Sequence, residues 1–209
     1  MKKRKIKLLA SLTSLVLVVA VMAVGVWAAS SATVNITGNV SYTASGNIKS
    51  TITLKENSKA STITPTVSGG GDGTKPAASA GQLVFKGSEE ADLTGTFALG
   101  TAGTINLTAT EGQTADVTYS YTITIKNDYT TSDTASKKNL EVTVTEPTVG
   151  GNISISYDNG DNTADWSDTD NTITIEPGKT VSYTVKFTTN PNTSAEGNIG
   201  SSFALAIAE

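Results

Sequence analysis

The sequence contains no cysteine and no histidine. Their absence excludes a Ser-His-Asp triad, a cysteine nucleophile, a histidine-ligated zinc and a disulfide framework. It also excludes a metallopeptidase of the His-Glu-x-x-His kind and a lipid-modified cysteine anchor. Charge is scarce, with 16% Asp, Glu, Lys and Arg, so the chain is not a highly charged disordered polymer. Aromatics make up only 6% of the 209 residues. What the chain has in abundance is threonine, 35 residues, together with 19 glycines.

The start of the chain predicts export. Lys2, Lys3, Arg4, Lys5 and Lys7 form a positive region, and an apolar run follows from Leu8 to Trp27, interrupted only by Ser11, Thr13, Ser14 and Gly25. Val26 and Ala28 then occupy the −3 and −1 positions of a cleavage site. Residues 1–28 therefore read as an apolar signal helix cut after Ala28. Cleavage after Ala29 is disfavoured because Trp27 would stand at −3. An apolar core of about 20 residues is also long enough to span a bilayer, so the alternative is a retained signal-anchor. After cleavage, residues 29–209 hold ten basic and nineteen acidic side chains, a net charge of −9. That charge disfavours nucleic acid and anionic membrane as partners. The expected location is secreted, in an extracellular matrix or at the cell surface. The signal peptidase is the partner during export.

Residues 29–209 show a dominant period of two. Val117, Tyr119, Tyr121, Ile123 and Ile125 alternate with Thr118, Ser120, Thr122, Thr124 and Lys126, which predicts one apolar face inward and one threonine-rich face outward. The same alternation marks Leu140–Val144, Ile153–Tyr157, Val181–Phe187 and Phe203–Ile207. No apolar stripe at helical spacing accompanies it. The expectation is an all-β chain of ten to twelve strands. Glu176-Pro177-Gly178-Lys179 predicts a tight turn between two of them, with Pro fixing φ and Gly supplying a positive φ. The glycine-rich segment 68–81 reads as a flexible loop rather than an inter-domain linker, because residues 29–67 have too few apolar positions for a core of their own. One antiparallel β-sandwich over 29–209 follows.

Three clusters are candidate sites. Asp158, Asp161, Asp165, Asp168 and Asp170 crowd thirteen residues and suit calcium by oxygen count. Their spacing is not that of an EF-hand, so a solvated hairpin connection is the preferred reading and no cofactor is expected. Trp166, in the same loop, is a candidate glycan contact or an end plug for the sandwich. Glu89, Glu90 and Asp92 form a further carboxylate cluster, but nothing in the sequence places two of them at the separation a glycosidase needs, and few aromatics are present to line a cleft. The first strand-like segment after the cleavage site carries Val34, Ile36, Val40 and Tyr42 in alternation. Such a segment pairs within its own sandwich or completes the sheet of a neighbour.

The layout resembles exported matrix and fibre proteins of Gram-positive bacteria typified by TasA and camelysin. The likeness rests on the lysine-rich start and the apolar core ending in Gly25-Val26-Trp27-Ala28-Ala29. It extends to the acidic all-β remainder, the strand pair Thr172–Ile175 and Thr180–Thr188 around a Pro-Gly turn, and the final Phe203-Ala204-Leu205-Ala206-Ile207 strand. The family shows an aromatic-Ser-Asp run after its cleavage site, where this chain has Ala29-Ser30-Ser31-Ala32-Thr33. The resemblance implies a jelly-roll sandwich, a dedicated signal peptidase and polymerisation by N-terminal strand donation in a biofilm matrix. The expected function is a non-enzymatic structural subunit of a fibre, partnered by copies of itself or by other matrix and surface proteins. The alternative is a secreted carbohydrate- or surface-binding module, or adhesin, using Trp166.

Overall fold

The run Val117–Asn127 shows why this chain builds sheets. Its odd-numbered residues are buried, while Thr118, Ser120, Thr122 and Thr124 are half-exposed and Lys126 is exposed. β-branched Thr favours extended backbone and keeps its hydroxyl in water, so one face packs and the other is solvated. The computed structural model describes residues 33–44, 48–57, 64–69, 77–79, 82–86, 93–100, 103–109, 114–130, 139–148, 150, 152–160, 171–191 and 195–208. The signal segment 1–28 lies outside them. No helix is present among the described residues, and none there is long and apolar enough to cross a membrane.

Fifteen strands are present among the described residues, more than the ten to twelve expected. They are β1 (Thr33–Thr37), β2 (Asn39–Ala44), β3 (Ser50–Glu56), β4 (Thr64–Gly69), β5 (Ala77–Ser79), β6 (Gln82–Lys86), β7 (Leu93–Ala98) and β8 (Thr104–Thr108). There follow β9 (Val117–Asn127), β10 (Leu140–Thr145), β11 (Ile153–Asp158), β12 (Thr172–Ile175), β13 (Thr180–Thr189), β14 (Ala195–Asn198) and β15 (Ser202–Ile207). β4 ends inside the glycine-rich segment and β5 lies within it, so strand occupies both flanks of residues 70–76, which are outside the described residues. The surplus strands are those with little apolar alternation, such as Ala77–Ser79 and Ala195–Asn198, which take extended form from their ladder partners.

Two six-stranded sheets carry the core. One runs β12-β10-β15-β2-β7-β4 and the other β11-β13-β9-β3-β6-β5. Their inward residues merge into one apolar cluster, and Tyr183 of the second sheet meets Phe203 of the first edge-on, with ring centroids 5.1 Å apart. Burying each Val, Ile, Leu or Phe side chain there contributes about 1.5–3 kcal/mol. The Pro-Gly turn forms as expected between β12 and β13. Lys179 N–H donates to Glu176 O at 3.0 Å, and Gly178 takes a φ of 78°. Asn127, fully buried, secures the same end of the sandwich by donating from Nδ2 to Ile175 O at 2.9 Å.

A third sheet, β14-β1-β8, continues the first. β15, β2 and β7 are neighbours in one sheet, and the strands joined to them in sequence, β14, β1 and β8, are neighbours in the same order in the other. Three adjacent ribbons thus meet at one corner, at Gly38, at Leu99, Gly100 and Gly103, and through Ile199 to Ser201. Strands that switch sheets by bending are a known way to close the end of a sandwich. The ladder persists through the bend. Gly38 N–H donates to Gly103 O (3.0 Å), Leu99 N–H to Gly38 O (3.1 Å), Ile199 N–H to Thr37 O (2.9 Å) and Ser41 N–H to Ser201 O (3.0 Å). The backbones approach so closely that a Cβ on Gly200 would stand 2.8 Å from Asn39 O, which demands glycine.

Candidate functional site

The N-terminal ribbon β1–Gly38–β2 is inserted between other strands, with residues 34–37 and 41–44 paired on both sides. β1 pairs parallel to β14 and antiparallel to β8, and β2 pairs parallel to β15 and antiparallel to β7. Val34, Ile36 and Val40 are completely buried and Tyr42 nearly so. Tyr42 stacks on Phe97 at 5.3 Å with planes 8° apart. Its ring also covers its cross-strand partner Gly95, where a Cβ would stand 2.3 Å from Cε1. The four residues singled out for strand donation are therefore self-paired in the single chain, and they fill both sheets at the corner.

Beneath the corner, two tyrosine hydroxyls reach across the sandwich from the second six-stranded sheet. Tyr121 Oη donates to Ile199 O at 2.7 Å and lies 2.8 Å from Ser201 Oγ, which is also 3.2 Å from Tyr183 Oη. Burial pushes both phenols above the ordinary tyrosine range, with the Ser201 hydrogen bond opposing it, so they stay protonated. Tyr119 is raised by burial and by the buried carboxylate of Glu56, to which its hydroxyl donates. The Tyr121 and Tyr183 contacts hold the β14–β15 bend in place from inside.

Outside the same bend is a cleft of about 320 Å³. One wall is Thr37, Gly38, Asn39 and Ser41 from the N-terminal ribbon, the second is Asn198 and Gly200 to Ser202, and the third is Thr145 and Glu146 at the end of β10. Hydroxyls and carboxamides dominate the described lining, and among the described residues Glu146 is its one carboxylate and no Lys or Arg lines it. Asn198 Oδ1 accepts the Gly200 N–H at 2.9 Å, which fixes its carboxamide. The cleft opens onto the outer face of the first sheet, where register aligns Thr145, Ser202, Ser41 and Thr96 in one row. The adjacent row is Thr172, Thr143, Ala204, Thr43 and Thr94. Both rows are uncharged. Glu141 stands in the row after these, and the outer face of the second sheet carries Lys55, Lys126, Lys186 and Asp158 between its threonines.

The other candidates are placed less fully. Asp158 ends β11 and its Oδ1 accepts the Gly160 N–H at 2.8 Å, which is a local turn. Asp161, Asp165, Asp168, Asp170 and Trp166 lie outside the described residues, as do Glu89, Glu90, Asp92, Ala28 and Ala29. Among the described residues no three carboxylates come together as a metal-binding group. The cleft residues come from three distant stretches, 37–41, 145–146 and 198–202, and only turn-like Gly38-Asn39 and Gly200-Ser201 hint at them in sequence.

No family model matches the chain, and no curated protein matches it. Among solved structures, the Fcho1 Mu homology domain of Danio rerio with bound Eps15 peptide aligns over 86% of this chain and 97% of that chain, at 6% identity and a TM-score of 0.18. A score that low carries no argument about fold or function.

Proposed function

We propose that the chain is an exported, non-enzymatic structural subunit of an extracellular matrix or cell-surface fibre, with a jelly-roll sandwich that polymerises by donating its N-terminal ribbon. The observation that supports this reading is the position of that ribbon. Residues 34–37 and 41–44 are flanked on both sides by main-chain ladders, and both seams toward the C-terminal strands are parallel and short, with four registered pairs each. Val34, Ile36, Val40 and Tyr42 fill the groove. An empty groove would expose their partners at about 1.5–3 kcal/mol per large side chain, so something must occupy it. A neighbour's ribbon would make the same bonds as the chain's own. Self-paired and exchanged states are then close in contact energy, and concentration selects between them. Exchange is head-to-tail and does not close, so it yields filaments.

Deleting residues 29–42 and supplying a peptide of residues 33–44 in trans tests this. The expected result is that the peptide restores a soluble folded unit that forms no filaments, while the intact protein forms them at high concentration in negative-stain micrographs. Filaments from the deletion variant alone would refute the proposal.

A further inference from the structure

The cleft at the sheet corner has a chemistry that the fibre reading does not use. It is too polar to hold a lipid or an apolar peptide side chain. Among the described residues its lining supplies no cation, so a phosphate or an acidic glycan would meet the Glu146 carboxylate and no described counter-charge. The one carboxylate among its described residues is also too few for a calcium site, which takes six to eight oxygens with several charged. A neutral polyhydroxylated ligand fits the groups present. Carboxamides donate and accept, carboxylates accept, and Ser and Thr hydroxyls do both, which matches the mixed donor and acceptor character of vicinal sugar hydroxyls. About 320 Å³ lies at the lower end of small-ligand clefts and suits a short stretch of sugar.

The walls are fixed in advance. Ser201 is held by Tyr121 and Tyr183, the Asn198 carboxamide is oriented by Gly200, and the backbone of Asn39 lies against Gly200. Preorganised polar groups lose little entropy when a ligand arrives. The row Thr145, Ser202, Ser41 and Thr96 leads away from the opening without charge, on a chain whose residues 29–209 carry net −9. We propose that this cleft binds a segment of a neutral polysaccharide, with Glu146, Asn198 and Asn39 as its polar contacts and the uncharged row as the track along which the polymer continues. The N-terminal ribbon supplies only one wall. The site therefore forms whether that ribbon comes from the same chain or a neighbour, and it does not depend on strand exchange.

Affinity gel electrophoresis of the purified protein tests the assignment. The probes are dextran, a soluble β-1,3-glucan and a soluble β-1,4-glucan, with alginate as the acidic counterpart. At least one neutral glucan should retard the protein, and alginate should not. Glu146→Ala removes the carboxylate, and Thr145→Arg places a long side chain at the mouth. Thr145 is exposed and Glu146 half-exposed, so both variants should fold, and unchanged thermal melting verifies this. Each should weaken retardation by about tenfold. Retardation by none of the glucans, equal retardation by alginate, or retardation unchanged in both folded variants would each overturn the proposal.

Discussion

The centre of the second sheet and the N-terminal ribbon are built from the same alternating residues but held very differently. β13 and β9 share ten registered antiparallel pairs, whereas β2 and β15, and β1 and β14, share four parallel pairs each. Parallel ladders are slightly less stable per residue. Long antiparallel ladders give a region that opens only when the whole domain unfolds, while short seams give one that can separate locally. Both regions bury their side chains equally well, so burial does not distinguish them. Ladder length and direction do.

Phe187→Ala should have the largest effect. The residue sits in β13, 1% exposed, against Gly197 of the third sheet. Its removal should cost about 3–5 kcal/mol in urea unfolding, and every amide of β9 and β13 should then exchange faster. Gly95→Ala should act on the other region. The new methyl would displace Tyr42 from its seat in the ribbon, at about 1–3 kcal/mol. Amides of β1 and β2 should lose hydrogen-exchange protection before those of β9. Equal loss in both regions would erase the contrast.

Tyr121→Phe comes next. It leaves the Ile199 carbonyl without its hydroxyl donor and should cost about 1–2 kcal/mol by chemical denaturation. The same residue sets an alkaline response. Burial raises the folded-state ionisation of Tyr42, Tyr119, Tyr121 and Tyr183 above the ordinary value of 10.0. Below pH 10 both folded and unfolded phenols are protonated and stability is intact. As pH rises above 10 the unfolded phenols ionise first, so stability falls. The urea midpoint should fall progressively as pH rises above about 10, less steeply in Tyr121→Phe. The smallest effect belongs to the outer face. Thr184→Ala removes a half-exposed hydroxyl 2.8 Å from that of Thr122 and should change stability by less than about 0.5 kcal/mol.

Much of this contrast is legible before folding. The alternation of Val117 to Ile125 predicts a strand because half its residues must leave water, and Glu176 to Lys179 predicts its turn from Pro and Gly geometry alone. Val34, Ile36, Val40 and Tyr42 likewise announce a buried strand face. The corner is not legible. It depends on residues 33–44, 93–100 with 103–108, and 195–207 coming together, and pairing across such separations leaves no local pattern. Ala195–Asn198 has no strand signature and is extended because β1 lies beside it. The cleft inherits the same obscurity, since its walls meet only after the corner forms.

The most direct test of the account locks the ribbon to its own chain. Thr43 and Ala204 are exposed Cα partners across the β2–β15 seam, within disulfide reach, and the chain has no other cysteine to interfere. In the Thr43→Cys/Ala204→Cys variant, oxidation at low concentration should leave a monomer that stays monomeric when concentrated, and reduction should restore filaments. Filaments from the oxidised protein at the same rate as from the reduced protein would contradict strand exchange.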